Sequence, residues 1–269
     1  MVFAVAARLN RSCRARLTLL PEPGESSSTA PPDGARIARL NDKLDIADAV
    51  VFCARPGSPP EPLAALIRDV GARAARACRK TVLIVAADGG LAQAQQAARA
   101  TGLDPALVLA SGGMPFAARA RARLAARHAL HPSQIQVTVI GGDGPTSLRS
   151  LPRYASAAGV PAAALGAPGA RTAERVWTGP TTDALVSSGA ALARAVAQDR
   201  REVFCCGART GEAFGIPGGW ISAPVRVGAQ GASEPLALRL TTEERSFLNG
   251  AAWLESEAAM RPGARSIRD

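Results

Sequence analysis

The sequence predicts an α/β protein, a doubly wound parallel sheet followed by a lobe of α+β character. AVVFCA (Ala49 to Ala54) and TVLIVAA (Thr81 to Ala87) are uninterrupted apolar runs rich in β-branched residues, the pattern of strands buried on both faces. Stretches at helical spacing alternate with them, the order of a sheet wound through crossover helices. The last third changes character, with two strand-like runs meeting across a Gly-containing turn.

In chain order, Leu17 to Leu20 is a short apolar run stopped by Pro21, and PEPGESSSTAPPDG (Pro21 to Gly34) has the composition of a connection. The strand at Ala49 to Ala54 ends in the Pro-rich RPGSPPEP. From Leu63 to Arg79 the apolar Leu63, Leu66, Ile67, Val70, Ala74 and Ala77 recur at helical spacing, and Arg68, Arg73, Arg76 and Arg79 fill much of the other face. Asp88-Gly89-Gly90 follows the second strand, then an Ala- and Gln-rich helix to about Thr101 and a short strand at Leu107 to Ala110. An Arg-rich helix from Pro115 to about Leu130 precedes the strand VTVI, Val137 to Ile140. PVRVGAQGASEPLALRL (Pro224 to Leu240) reads as two strands across a turn. The terminal helix opens with a capping box at Thr241 and Glu244 and is expected to present Phe247, Leu248, Ala251 and Leu254 on one face.

With 269 residues, 47% of them hydrophobic, the chain can bury a substantial core. A formal net charge of +10 invites a nucleic-acid partner. The distribution argues against one: Lys43 and Lys80 are the only lysines, so the charge is nearly all arginine, and aromatics are 4% and not interleaved with it. Without a stacking platform for bases, the charge reads as a solvated basic surface. No apolar run reaches the roughly 18 residues of a membrane span, and Arg8, Arg11, Arg14 and Arg16 interrupt the first apolar stretch, so a cytoplasmic protein is expected. Cys13, Cys53, Cys78, Cys205 and Cys206 form no C-x-x-C pair, which suggests neither a disulfide framework nor a metal site. Cys53 and the Cys205–Cys206 pair end strand-like runs, where cysteine acts as a small buried hydrophobe.

DIADAVV (Asp45 to Val51), VLASGGMPFAARAR (Val108 to Arg121), VTVIGGDGPTSL (Val137 to Leu148), LPRYASAAGVP (Leu151 to Pro161), Arg201 to Ile216 and Pro224 to Glu244 follow one another along the chain. In that order they resemble the lactate/malate dehydrogenase family. The family motifs at these places are "ADIVV", "VIGxGTxLDSARFR", "VxGEHGDxxVP", "xWSxAxVxGxP", a strand with a "GEYG" turn, and a closing hairpin with "LTxEE". No single motif is strong; their order over essentially the whole chain carries the resemblance.

The resemblance implies a Rossmann-like dinucleotide-binding domain over residues 1–113, without its N-terminal strand and glycine loop, and an α+β substrate domain over 114–269. It implies hydride transfer between NAD and a 2-hydroxy or 2-keto acid. Arg119 falls on the arginine that grips the substrate carboxylate with a bidentate fork; read from the residues alone, it is one more arginine beside Arg121 and Arg123. Asp143 stands at the proton-transferring histidine, and Phe116 at the aspartate that orients it. His128 and His131, the only histidines, are expected on a surface turn. Asp88 takes the place of an asparagine near the nicotinamide, Pro21 that of the acidic residue on the ribose, and Arg55 is left in a shortened substrate-closing loop. Val2 to Leu9 resembles the helix behind the G-x-G-x-x-G turn, so either the start is assigned too far downstream or the first strand is lost.

An ordinary aspartate titrates near ~3.9 and needs lifting by about three units, roughly 4 kcal/mol, to hold a proton at pH 7. A neighbouring Arg119 would push the other way. The sequence therefore predicts an ionised Asp143, close enough to Arg119 to pair with it directly or through water and plug the substrate site. The departures at 143 and 116 leave open two other functions: a non-catalytic homologue acting through association as a homo- or hetero-oligomer, or an acidic-ligand binding module.

Overall fold

The computed structural model describes residues 17–19, 35–37, 48–76, 81–144, 146–165 and 179–260. Val2 to Leu9, Pro21, Cys13 and Cys78 lie outside them. β1 (Leu17–Leu19) and β2 (Ala35–Ile37) pair in parallel as a separate two-stranded sheet.

The expected parallel core is present. β3 (Ala49–Cys53) runs beside β4 (Val82–Ala86) from Ala49↔Val82 to Cys53↔Ala86, and β4 beside β5 (Val108–Ala110) from Leu83↔Val108. Helix α1 (Pro60–Arg76) and helix α2 (Gly90–Thr101) cover one face, where Leu83, Val85 and Ala87 meet Leu63, Ile67, Val70, Leu91 and Ala94. Val82, Ile84 and Ala86 point the other way, into a cluster with Val186, Ala190 and Ala193. Both faces of β4 are thus dry, which explains its unbroken apolar run.

Those last residues belong to a helix that periodicity did not bring out. After α3 (Met114–Arg127) comes α4 (Thr182–Ala197), opened by Thr181, whose side chain accepts from Ala184 N at 3.3 Å. Its small residues let it approach the sheet closely: a Cβ on Gly189 would sit 3.1 Å from Ala86 Cβ and from Val51 Cγ1.

The second half adds antiparallel strands to the same sheet. β5 pairs with β11 (Glu202–Arg209) at Ala110↔Gly207, and the order continues through β12 (Trp220–Gly228), β7 (Val139–Gly141) and β8 (Leu148–Ser150), with β13 (Gly231–Pro235) also on β12. A smaller antiparallel sheet holds β6 (Ile135–Gln136), β9 (Ser156–Ala157) and β10 (Val160–Pro161). The run VTVI therefore does not form one strand from Val137: it straddles the point where the chain leaves β6 for β7 and changes sheets.

Helix α5 (Thr242–Met260) closes the described chain, and its capping box is formed, Thr241 N donating to Glu244 Oε2 at 2.8 Å and Glu244 N to Thr241 Oγ1 at 3.2 Å. Its buried stripe differs from expectation. Leu248 and Ala251 face inward, but Leu254 is 49% exposed and Glu255 only 7%. The stripe runs Glu244, Leu248, Ala251, Glu255, Ala259, a helical repeat that keeps a carboxylate near each end. Among the described residues no helix is long and apolar enough to cross a membrane.

Candidate functional site

The site gathers where β7 ends, at the N-terminus of α2. Gly141 leaves the strand at φ 133, and a Cβ there would lie 1.9 Å from Ser147 O, so only glycine lets the loop turn back on itself. Gly142 N then donates to Ser147 O at 2.7 Å. Buried Ser222 on β12 stitches this loop to the start of α3: its Oγ donates to Gly142 O at 2.8 Å and accepts from Gly113 N at 3.0 Å.

Asp143, 6% exposed, is held between two helices. Its Oδ2 accepts from Leu91 N in the first turn of α2 at 3.0 Å, and its own N–H donates to Glu255 Oε1 on α5 at 2.7 Å. Gly89, at the N-cap of α2 with φ 69, offers no side-chain cap. Asp143 supplies that cap from 52 residues further along the chain, placing a carboxyl at the positive end of the helix.

Burial raises the Asp143 pKa well above the ordinary carboxylate range, and Glu255 and Asp88 raise it further; the N–H groups of Leu91 and Gly90 pull it down. Burial likewise raises Glu255, against the N–H of Asp143. Burial and like charge thus both favour the acid forms of this carboxyl pair.

No direct Asp143–Arg119 ion pair is formed: the hydrogen bonds of Asp143 go to Leu91 N and Glu255 Oε1, and its burial favours the acid form over the ionised one expected. Arg119 is half-buried on α3 and is not among the groups that bear on Asp143, whose carboxyl turns to α2 instead. Phe116, Ala117 and Ala120 occupy the inward face of α3 with Val139 and Leu148, leaving Arg119 on its flank. Asp88 and Asp143 are brought together; Arg119 does not join them. Arg55 is exposed just beyond β3; His131 is exposed in the turn after α3, as expected, whereas His128, at the end of α3, is half-buried with its Nε2 covered. Cys53 and Cys206 are buried, and burial pushes both thiols up to about 12. Among the described residues no side-chain cluster could hold a metal ion.

Sequence reasoning missed Glu255 and the Leu91 amide. A charged residue in register with Leu248, Ala251 and Ala259 was the available signal for Glu255. The amide left no signal, because any helix start presents one.

The chain is 31% identical over 200 residues to the malate dehydrogenase of Thermomicrobium roseum, a stretch covering 70% of this chain and 64% of that protein. To the malate dehydrogenase of Synechocystis sp. it is 28% identical over 223 residues, 75% of this chain and 68% of the other. It spans about two thirds of the length of these curated relatives. No family model matches. Among solved structures, the malate dehydrogenase of Aeropyrum pernix superposes with a TM-score of 0.80 at 16% identity, over 96% of this chain and 94% of that one. The lactate dehydrogenase of Cryptosporidium parvum, solved with lactic acid and nicotinamide adenine dinucleotide, superposes with a TM-score of 0.75 at 19% identity, over 97% and 95%.

Proposed function

We propose that the chain, similar along most of its length to malate dehydrogenases, is a member of the lactate/malate dehydrogenase family and an NAD-dependent oxidoreductase of 2-hydroxy and 2-keto acids in which Asp143 takes the part of the family histidine. One observation carries the reading: Asp143 is buried against Glu255 and hydrogen-bonded to the first turn of α2. Burial and a like charge favour its acid form, and the helix N–H groups favour its anion. A carboxyl balanced in this way can give a proton to a keto oxygen and take one from a hydroxyl.

Arg119 is proposed to hold the substrate carboxylate, free of the plug that an Arg119–Asp143 pair would have formed, with Arg55 on the loop that closes over it. On this reading residues 1–113 are proposed as the dinucleotide-binding part and 114–269 as the substrate part. For the cofactor, fit is testable at the turn between β4 and α2. There the Leu91 amide is already taken, and the carboxyls of Asp88, Asp143 and Glu255 gather. Such a set suits the cationic ring of an oxidised nicotinamide and not a pyrophosphate, so Asp88 would border the ring. When bound, NAD supplies or accepts the hydride; the proton is the work of Asp143.

A second reading, a non-catalytic homologue acting through protein association, is favoured by the same burial, because a carboxyl that caps α2 and is 6% exposed presents little of itself to a ligand. Steady-state oxidation of NADH with a panel of 2-keto acids, together with NADH binding followed by fluorescence, separates the two. Turnover is expected, and Asp143→Asn should lower kcat by about 10²–10⁴-fold while NADH still binds. No turnover with any acid, or turnover unchanged in the variant, defeats the catalytic reading.

A further inference from the structure

We infer that Glu255 is the positioning residue of the site: it holds Asp143 by its backbone N–H, ties α5 to the Asp143 loop, and sets a second carboxyl beside the one that handles the proton.

The loop is shaped around Glu255. A Cβ on Gly142 would lie 2.3 Å from Glu255 Oε1 and 2.7 Å from Ser147 Oγ, so glycine at 142 is what admits the carboxylate. Through that opening Oε1 reaches the N–H of Asp143 at 2.7 Å. Further along, Gln96 Nε2 on α2 donates to Ala259 O on α5 at 3.0 Å. Helix α5 is therefore tied to α2 both through the carboxyl pair and directly, and the end of the helix carrying Glu255 cannot move without moving Asp143.

The charged groups bearing on Asp143 are Glu255 from α5 and Asp88 from the turn before α2, both carboxyls; α2 itself contributes N–H donors. With one proton in the pair, the remaining charge is held by those donors. With none, two buried anions face each other and α5 is pushed from the loop. The catalytic half of this inference rests on Asp143 handling the proton in the reaction; the structural half does not.

Two substitutions divide the roles. Glu255→Gln keeps an oxygen that accepts from Asp143 N–H and removes the charge, whereas Glu255→Ala removes both. On the full chain, infrared difference spectra across a pH titration report the carbonyl stretch of a protonated buried carboxyl. Wild type should show that band at pH 7. Glu255→Gln should lower the midpoint of its loss by about one unit or more and move the acidic-to-alkaline limb of the kcat profile with it. Glu255→Ala should lower kcat by about tenfold or more beyond Glu255→Gln, with KM for the keto acid changed less than kcat. A wild-type protein without the band at pH 7, or a midpoint that Glu255→Gln leaves in place, overturns the inference; if the variants do not fold, the wild-type band alone decides. Absence of turnover with the band present and shifted would remove the proposed function and leave the pair standing.

Discussion

The two ends of α5 each bury a glutamate, and the two are treated in opposite ways. Glu244, 8% exposed, receives Arg153 through both guanidinium nitrogens, one of them at 2.6 Å, and closes the capping box with Thr241. The Arg153 hydrogen bond holds its pKa below the ordinary range. Glu255, 7% exposed, meets an N–H and a second carboxyl, and burial raises its pKa. The residue type, helix and low solvent exposure are shared; what differs is the partner and the depth, Glu255 lying well inside the packing and Glu244 near its surface. Burial costs a charge its hydration in both places, and only at the first end does a cation offset the cost. At the first end the charged form is favoured, at the second the acid form.

Variants at the two ends test this contrast. The largest expected effect is on chemistry: Asp143→Ala, which removes the proton carrier and leaves Leu91 N–H without its acceptor, should lower kcat with any accepted keto acid by about 10²–10⁴-fold. Retained turnover in this variant would show that the second end is structural like the first.

Next comes Glu244→Ala. It strips the cap and leaves Arg153 without its carboxylate, a loss of about 2 kcal/mol or roughly 4–8 °C in Tm. Calorimetry checks it, and a loss as small as that of a surface pair would mean that Arg153, 37% exposed at its side chain, is satisfied by water.

The pH dependence of stability should then run in opposite directions at the two ends. Asp143 and Glu255 are raised in the folded state, so their contribution is complete below about pH 4 and is lost as pH rises through their folded values. Glu244 is lowered, so its contribution is present above about pH 4 and is lost as pH falls through its folded value. Wild type should therefore be less stable at pH 8 than at pH 5, and Glu255→Gln should flatten that slope by about 1.4 kcal/mol, roughly 4 °C, for each unit of raised pKa removed. A slope that is the same in the variant would show that the pair carries no proton at pH 5.

The smallest effect belongs to Arg149, which pairs with exposed Glu243 at 3.0 Å and lies 4.3 Å from the centre of the Phe247 ring. Arg149→Ala should cost less than about 1 kcal/mol, most of it from the ring contact and insensitive to salt.

Much of the frame was legible along the chain. The parallel strands were visible because a strand covered on both faces must be apolar at every position, and Val82 to Ala86 is. The capping box was visible because Thr241 and Glu244 satisfy each other within one turn. Helix α4 was harder to see, since TDALVSSGAALARAVA is small and apolar on nearly every side and its seat against β3 and β4 is made with residues more than a hundred positions away. VTVI was misplaced because Val137 and Thr138 link β6 to β7 across a change of sheet and only Val139 and Ile140 lie in a strand.

The alternation of elements, the caps and the order of motifs that carries the family resemblance were determined by the sequence alone, since each depends on residues near one another in the chain. The raised pKa of Asp143 was not among them. An aspartate after two glycines reads as exposed and ionised, and its neighbours in sequence give no reason to think otherwise. Leu91 arrives from 52 residues before it and Glu255 from 112 after it, and only tertiary packing brings a helix N-terminus and a second carboxylate to the same dry spot. Charge in a protein is decided by solvent access and by partners in space, and neither is a local property of the chain.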